Sequence, residues 1–261
     1  MQAQSTTNGK FADINGLKLY YEIHGTGAPL VLLHGGGSTI KSNYGQILPQ
    51  LASHFQVIAV ELQAHGHTPD IDRPLSFEQD ADDVAALLNH LKISKANVMG
   101  FSNGGTTALQ FAIRHPQLLN KIVIASANYR RDGMPPGFFE GMKNASLEMM
   151  PKPLQEAYLE VNPDQNGLQK MFDRDVARML GFQDIEESKI KGIRSAALII
   201  NGDKDVVSVP HAVALTQLIP NARLAILPAG HGDYLGEITM VDKQSKMPEL
   251  VVNMIHSFLL N

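Results

Sequence analysis

The sequence predicts an α/β protein: a mostly parallel sheet flanked by helices on both faces, with a small all-helical insertion late in the chain. Three observations predict it. Short, near-continuous apolar runs recur along the sequence, as strands covered on both faces require. Helix-patterned segments alternate with those runs, the order expected of parallel strands joined by crossover helices. One interval, Ala127 to Gly192, contains no good strand and breaks the alternation.

The first two runs, Phe11–Ile14 and Leu17–Ile23, are joined by Asn15-Gly16. That pair tolerates the positive φ angles of a two-residue hairpin turn, so the chain begins with an antiparallel pair. The buried strands that follow are expected at Leu30–Leu33, Val57–Leu62, Asn97–Phe101, Lys121–Ala125, Ala196–Ile200 and Arg223–Leu227. Helices are expected near Tyr44–His54, Phe77–Leu91, Thr106–Arg114, His211–Leu218 and Pro248–Leu260. Pro210 and Pro248 suit first-turn positions, where no hydrogen-bond donor is lost. The strandless interval holds Pro135, Pro136, Pro151, Pro153 and Pro163 among helix-like runs. Placed after a strand of a parallel sheet, it would lie over the strand ends where sites form. The expected division is a core of residues 1–128 and 192–261 with a helical cap at 129–191.

Composition narrows the function classes. At 261 residues, 44% hydrophobic and 18% charged, the chain can bury one large core with an inserted subdomain. A net charge of -4 without a long Lys/Arg run argues against nucleic acid as a partner. The absence of cysteine removes disulfides, thiolate metal ligands and a cysteine nucleophile. No apolar stretch reaches the ~18 to 20 residues of a membrane span, so a soluble protein is expected. Met1–Asn8 is polar and lacks an apolar signal core, which leaves the compartment open: cytoplasmic, or exported with a signal removed.

Chemistry enters at Gly100-Phe101-Ser102-Asn103-Gly104, which an apolar run enters and a helical pattern leaves. A serine between a strand and a helix is the setting of a nucleophile elbow. The hydroxyl is a weak nucleophile and needs a tight turn, a neighbouring base and donors for the oxyanion. Glycines without Cβ allow the sharp bend and the close helix. Two later strand ends supply partners: Ile199 to Asp205 carries two aspartates, and Ala229-Gly230-His231-Gly232 carries a histidine. Ser102, an aspartate and His231 follow the order nucleophile, acid, base. The histidine would take the Ser102 proton and return it to the leaving group, with the aspartate fixing its tautomer. Asp205 is preferred over Asp203, because it lies further into the loop and Val206-Val207 can anchor it; bonding turn amides is the alternative role for Asp203. His34-Gly35-Gly36-Gly37 follows an apolar run and presents unobstructed amides. Gly36, with Asn103, is expected to supply the oxyanion donors. Neither phosphate-loop spacing is present there. His65-Gly66-His67 is read as a loop structured by side-chain hydrogen bonds, so neither a metal site nor a cofactor is expected.

Together these residues resemble the α/β-hydrolase superfamily, and the resemblance covers essentially the whole chain: the His34-Gly35 turn, Glu61 through Gly66-His67, Gly100 to Gly105, Gly202 to Asp205 and Gly230-His231 fall in family order. It implies an eight-stranded sheet with the second strand antiparallel and a cap inserted after the sixth strand. The chain looks most like the small esterase, lactonase and cofactor-free perhydrolase branch. It departs from the family at Asn103, where an apolar residue is common, and at Glu61 and Gln63, where aspartate is frequent. Its elbow also lacks the Gly-Asp-Ser-Ala-Gly of hormone-sensitive-lipase-like esterases, despite the His-Gly-Gly-Gly run. Serine at position 102 disfavours dehalogenase and epoxide hydrolase activity, which would need aspartate.

The expected cap holds Met134, Met142, Met149, Met150, Met171 and Met179, together with Phe138, Phe139, Phe172 and Tyr158. Flexible thioethers and aromatics suit an adaptable apolar pocket, with packing inside a small helical subdomain as the plainer role. Gly35, Phe101, Phe138, Phe139 and Met142 are the expected substrate contacts. Arg130 and Arg131 are read as surface ion pairs. The expected activity is hydrolysis of a small-molecule carboxylic ester by a monomer or homodimer. The same residues could serve lactone opening, perhydrolysis or C–C cleavage, or a ligand receptor on the same fold.

Overall fold

A computed structural model describes residues 9–261; the expected polar start at 1–8 lies outside the described residues. The chain opens with strands β1 (Gly9–Ile14) and β2 (Leu17–His24), paired antiparallel through Asn15-Gly16, both at positive φ. Then come β3 (Ala28–Leu33), helices α1 (Ile40–Tyr44) and α2 (Leu48–Ala52), β4 (Phe55–Glu61), α3 (Phe77–His90), β5 (Ala96–Phe101), α4 (Asn103–Arg114) and β6 (Leu119–Ala125). The next segment carries only helices: α5 (Phe138–Met142), α6 (Lys152–Val161), α7 (Gln165–Gly181) and α8 (Glu187–Lys191), with short 3-10 turns between them. The chain closes with β7 (Ala196–Gly202), α9 (Val209–Leu218), β8 (Ala222–Leu227) and α10 (Met247–Leu260).

The eight strands form one sheet in the order β1-β2-β4-β3-β5-β6-β7-β8. β2 runs antiparallel to both neighbours, and all pairings from β4 to β8 are parallel. Alternate residues of a strand point to opposite faces, and both faces are buried here. Val31 and Leu33 join a core with α3, α4, α8 and α9, whereas Leu30 and Leu32 join one with α1, α2 and α10. A third cluster unites Met150, Leu154, Tyr158, Leu168 and Met171 of the helical segment with Ala64 of the core. Tyr129, Phe182, Ile185 and Ile190, near the two ends of that segment, pack into the first core.

Of the helix expected over Tyr44–His54, only Leu48–Ala52 forms, as α2, and α1 ends at Tyr44, where the expected helix would begin. Pro49 occupies the first turn of α2; inside a continuous helix its ring would strike the carbonyl four residues back and forfeit a hydrogen bond. Among the described residues, no helix is long and apolar enough to cross a membrane.

Candidate active site

Three loops that follow β5, β7 and β8 converge. β5 ends at Phe101 and α4 starts at Asn103, so Ser102 makes the turn, with φ 52° and ψ -121°. A positive φ at a residue with a β-carbon costs about 1–3 kcal/mol. Three hydrogen bonds hold it. The Ser102 N–H donates to Ala125 O at 2.9 Å, and the Ser102 carbonyl accepts from the N–H groups of Gly105 and Thr106 at 2.9 and 3.1 Å. The turn demands glycine: a β-carbon on Gly100 would lie 1.9 Å from Gly104 O, and one on Gly104 2.1 Å from Leu33 O.

His231 Nε2 stands 3.1 Å from Ser102 Oγ, and its Nδ1 stands 2.7 Å from Asp205 Oδ1. A carboxylate can only accept, so Nδ1 carries the proton and Nε2 offers its lone pair to the serine hydroxyl. Asp205 is itself held. Its Oδ1 accepts the Val207 N–H at 3.0 Å, and its Oδ2 accepts from the Gly202 N–H at 3.4 Å and from Ser126 Oγ. The Tyr234 hydroxyl, fully buried, donates in turn to Ser126 Oγ at 2.5 Å. Burial pushes the Asp205 carboxyl up, but His231, Ser126 and the Val207 amide outweigh it and hold the group below the usual carboxylate range. Asp203 faces away from this set, accepting the Ala229 N–H at 3.0 Å as a turn residue.

The glycine loop after β3 is fastened at both ends. His34 Nδ1–H donates to Gly35 O at 2.7 Å, while Nε2 accepts the Leu62 N–H at 3.1 Å. Both bonds together need a neutral ring, and burial drops its pKa to about 3. The Gly35 N–H donates to Asn43 Oδ1 and the Gly37 N–H to Asp175 Oδ2, each at 2.7 Å. Between them, the Gly36 N–H has no acceptor among the described residues, and neither has the Asn103 N–H at the start of α4. Two unengaged amides beside a serine can take the negative charge that develops on a carbonyl oxygen.

Ser102, Asn103, Gly36, Gly37, Ser126 and His231 open onto a cavity of about 380 Å³. Met134, Met142, Met149, Met150, Met171 and Met179, all six methionines of the helical segment, line it with Phe138, Phe172 and Leu154. Three of the expected substrate contacts lie elsewhere. Phe101 is fully buried with its ring 4.7 Å from the His231 imidazole, so it supports the histidine from below. Gly35 turns its α-carbon toward Phe101 and Ser102 and spends its amide on Asn43. Phe139 faces a separate outer cleft, with the Arg131 guanidinium 3.6 Å above its ring. Arg131 also donates to the carbonyls of Leu180 and Phe182, and is therefore a tie within the segment; Arg130 pairs with Asp132 and Glu187.

The residues that sequence reasoning missed are Ser126, Tyr234 and Asp175, with Asn128, which also lines the cavity. Ser126 follows β6 as Ser102 follows β5, also at positive φ (49°), so its position at a parallel strand's end was a usable signal. His65 and His67 point apart: His65 is fully buried against Asp175, and His67 accompanies Glu61, 2.8 Å from its carboxylate. Among the described residues no cluster of three or more histidine or acidic side chains could hold a metal ion.

The family model described as "alpha/beta hydrolase fold" matches residues 28–158. Serine hydrolase BPHL of Homo sapiens is 30% identical over 260 residues, spanning 94% of this chain and 86% of that one. Among solved structures, a serine hydrolase involved in carbazole degradation superposes with a TM-score of 0.79 at 22% identity, over 98% of this chain and 99% of that one. The enol-lactonase from Burkholderia xenovorans LB400 gives 0.75 at 23% identity, over 97% and 100%. At such identities the two structures speak for the fold.

Proposed function

Since the chain belongs to the alpha/beta hydrolase fold family, we propose that it hydrolyses carboxylic esters of small, largely apolar acyl groups through an acyl-Ser102 intermediate. The observation that carries this reading is the hydrogen-bonded series Ser102, His231, Asp205 opening onto a methionine-lined cavity. His231 Nε2 takes the hydroxyl proton as Ser102 Oγ attacks the ester carbon, and the carbonyl oxygen, now negative, lies between the amides of Gly36 and Asn103. Asp205 stabilises the imidazolium. Collapse of the adduct breaks the C–O bond and His231 gives its proton to the departing alcohol. Water, deprotonated by the same nitrogen, then cleaves the acyl-serine, which releases the acid and restores the hydroxyl. No lysine or arginine among the described residues lines the cavity, which favours an uncharged acyl group over one with a free carboxylate.

The test is a panel of p-nitrophenyl esters and lactones run with wild type and Ser102→Ala. The variant is expected to lose about 10⁴-fold or more in kcat, as removal of a triad member does, together with labelling by a fluorophosphonate. Turnover of any panel member at the wild-type rate by Ser102→Ala would overturn the assignment. Preference for lactones over open esters would redirect it to ring opening by the same residues.

A further inference from the structure

Asp175 stands on α7, in the helical segment, yet its carboxylate reaches the glycine loop of the core. Oδ2 accepts the Gly37 N–H at 2.7 Å and faces His65 Nε2 at 3.1 Å, while Oδ1 accepts from Arg178 at 2.5 Å. Arg178 is clamped in turn by Asp80 of α3 at 2.7 Å. All four ionisable side chains are buried or nearly so: 0% exposed for His65, 2% for Arg178 and Asp80, 13% for Asp175. His65 Nδ1 faces the Gln63 carbonyl at 2.9 Å. Both ring nitrogens therefore face acceptors, and only the doubly protonated imidazolium satisfies both. Two carboxylates and two cations then cancel, which is what such a cluster needs at this depth. Burial alone would push Asp175 up, but Arg178, His65 and the Gly37 amide hold it far below the usual carboxylate range.

The consequence falls on Gly36. Its two neighbours are pinned by Asn43 and Asp175, and a peptide plane fixed on both sides has one direction left for its N–H. A β-carbon on Gly36 would meet Asn103 Nδ2 at 2.5 Å and Asp175 Oδ2 at 3.0 Å, so the carboxylate, the Asn103 side chain and the Gly36 backbone meet at one place. We propose that Asp175 is a positioning residue for the oxyanion site: the helical segment, besides walling the cavity, holds the glycine loop in its working geometry, and the site is incomplete without it. This inference rests on the acyl-Ser102 reading above. Neutralisation by His65 and Arg178 is part of the device, because a bare carboxylate here would oppose the oxyanion it helps to place.

The test compares wild type, Asp175→Ala, Asp175→Asn and Asp80→Asn with p-nitrophenyl butyrate, measuring kcat, KM and thermal unfolding, and the rate of inactivation by diethyl p-nitrophenyl phosphate, whose P=O needs the same donors. Loss of a whole oxyanion donor costs about 10²–10³ in kcat, so a donor left in place but unaimed should cost about 10- to 100-fold. Asp175→Ala is expected to show that loss in kcat and in inactivation rate, with KM within about twofold. Asp175→Asn keeps one acceptor oxygen but turns a donor toward Gly37 or Arg178, and should fall between. Asp80→Asn loosens the same join without touching Gly37, so it should lower the unfolding temperature and keep kcat within about threefold. Should Asp175→Ala fail to fold, the isosteric Asn variant carries the comparison. Wild-type kcat in both Asp175 variants, a loss confined to KM, or an equal kcat loss in Asp80→Asn overturns the proposal. An inactive wild type, or an active Ser102→Ala, would instead remove the reading on which it rests.

Discussion

The two sides of the cavity are made in different ways. On the core side, Ser102, Asp205 and His231 sit on loops that leave the ends of parallel strands, and each is fixed by backbone and side chains of the sheet's own loops. On the helical side, six methionines and two phenylalanines give shape, and one carboxylate, Asp175, crosses to the core. Reactive groups need positions held to within a fraction of an ångström, which strand ends provide; a surface that receives apolar groups can be soft, and methionine makes it so. The division predicts where substitutions act: core-side changes on kcat, and helical-side changes on which acyl group fits, with Asp175 the exception.

The sharpest break of that comparison is Asp205→Asn set against Asp203→Asn. The two residues share one loop, but only Asp205 reaches His231. An asparagine leaves the geometry nearly intact while allowing the wrong histidine tautomer, so kcat should fall about 10⁴-fold. Asp203→Asn should stay within about threefold, because a turn carbonyl still accepts the Ala229 amide. Equal effects, measured as kcat on p-nitrophenyl butyrate, would show that the loop and not the carboxylate matters.

That contrast also marks what the sequence could disclose. Strands, their order and the loops bearing Ser102, Asp205 and His231 are local features: an apolar run, a glycine-rich turn, a polar residue beside it. The join at Asp175 is not local. Gly37 and His65 lie 138 and 110 residues from it, and nothing near Asp175 distinguishes it from a solvated helix residue. For the same reason Phe138 and Phe139, adjacent in α5, differ: both line the outer cleft, and of the two Phe138 also reaches the cavity at the serine, an outcome set by how the short helix packs. Gly35 and Phe101 adjoin Gly36 and Ser102 in the sequence, yet both support the pocket from beneath. Tyr44–His54 looked continuous because apolar spacing outlasts the break that Pro49 imposes.

A smaller effect tests how far the core side is self-sufficient. Ser126 carries the Asp205 contact and takes the Tyr234 hydroxyl, so Ser126→Ala leaves Tyr234 without its acceptor and Asp205 without a donor that helps to hold it ionised. We expect a loss of about tenfold in kcat, in the range of a single supporting hydrogen bond to a charged group, and an acidic limb of the pH–rate profile moved toward neutral pH. A profile unchanged in shape would assign Ser126 to packing alone.

The smallest expected effect separates two joins between the core and the helical segment by their charge. One is the ionised cluster at Asp175. The other is neutral: His211, buried on α9, accepts the Tyr129 N–H through Nε2 at 3.0 Å and stacks on the Tyr129 ring. Protonating that nitrogen destroys the acceptor, and burial, the main cause, lowers the His211 pKa to about 4. Between that value and the ordinary 6.5 the unfolded chain binds a proton that the folded chain refuses, so acidification favours unfolding across this window and adds nothing below it. Asp175, held far below the usual carboxylate range, stays charged throughout the window. His34 contributes in the same direction as His211, and Asp80, raised by burial to about 6, in the opposite one. Both are common to wild type and His211→Gln, whose amide oxygen can still accept without titrating. The fall in unfolding temperature from pH 7 to pH 4 should therefore be a few degrees smaller in His211→Gln than in wild type. Parallel curves would mean that the neutral join at His211 does not feel acid.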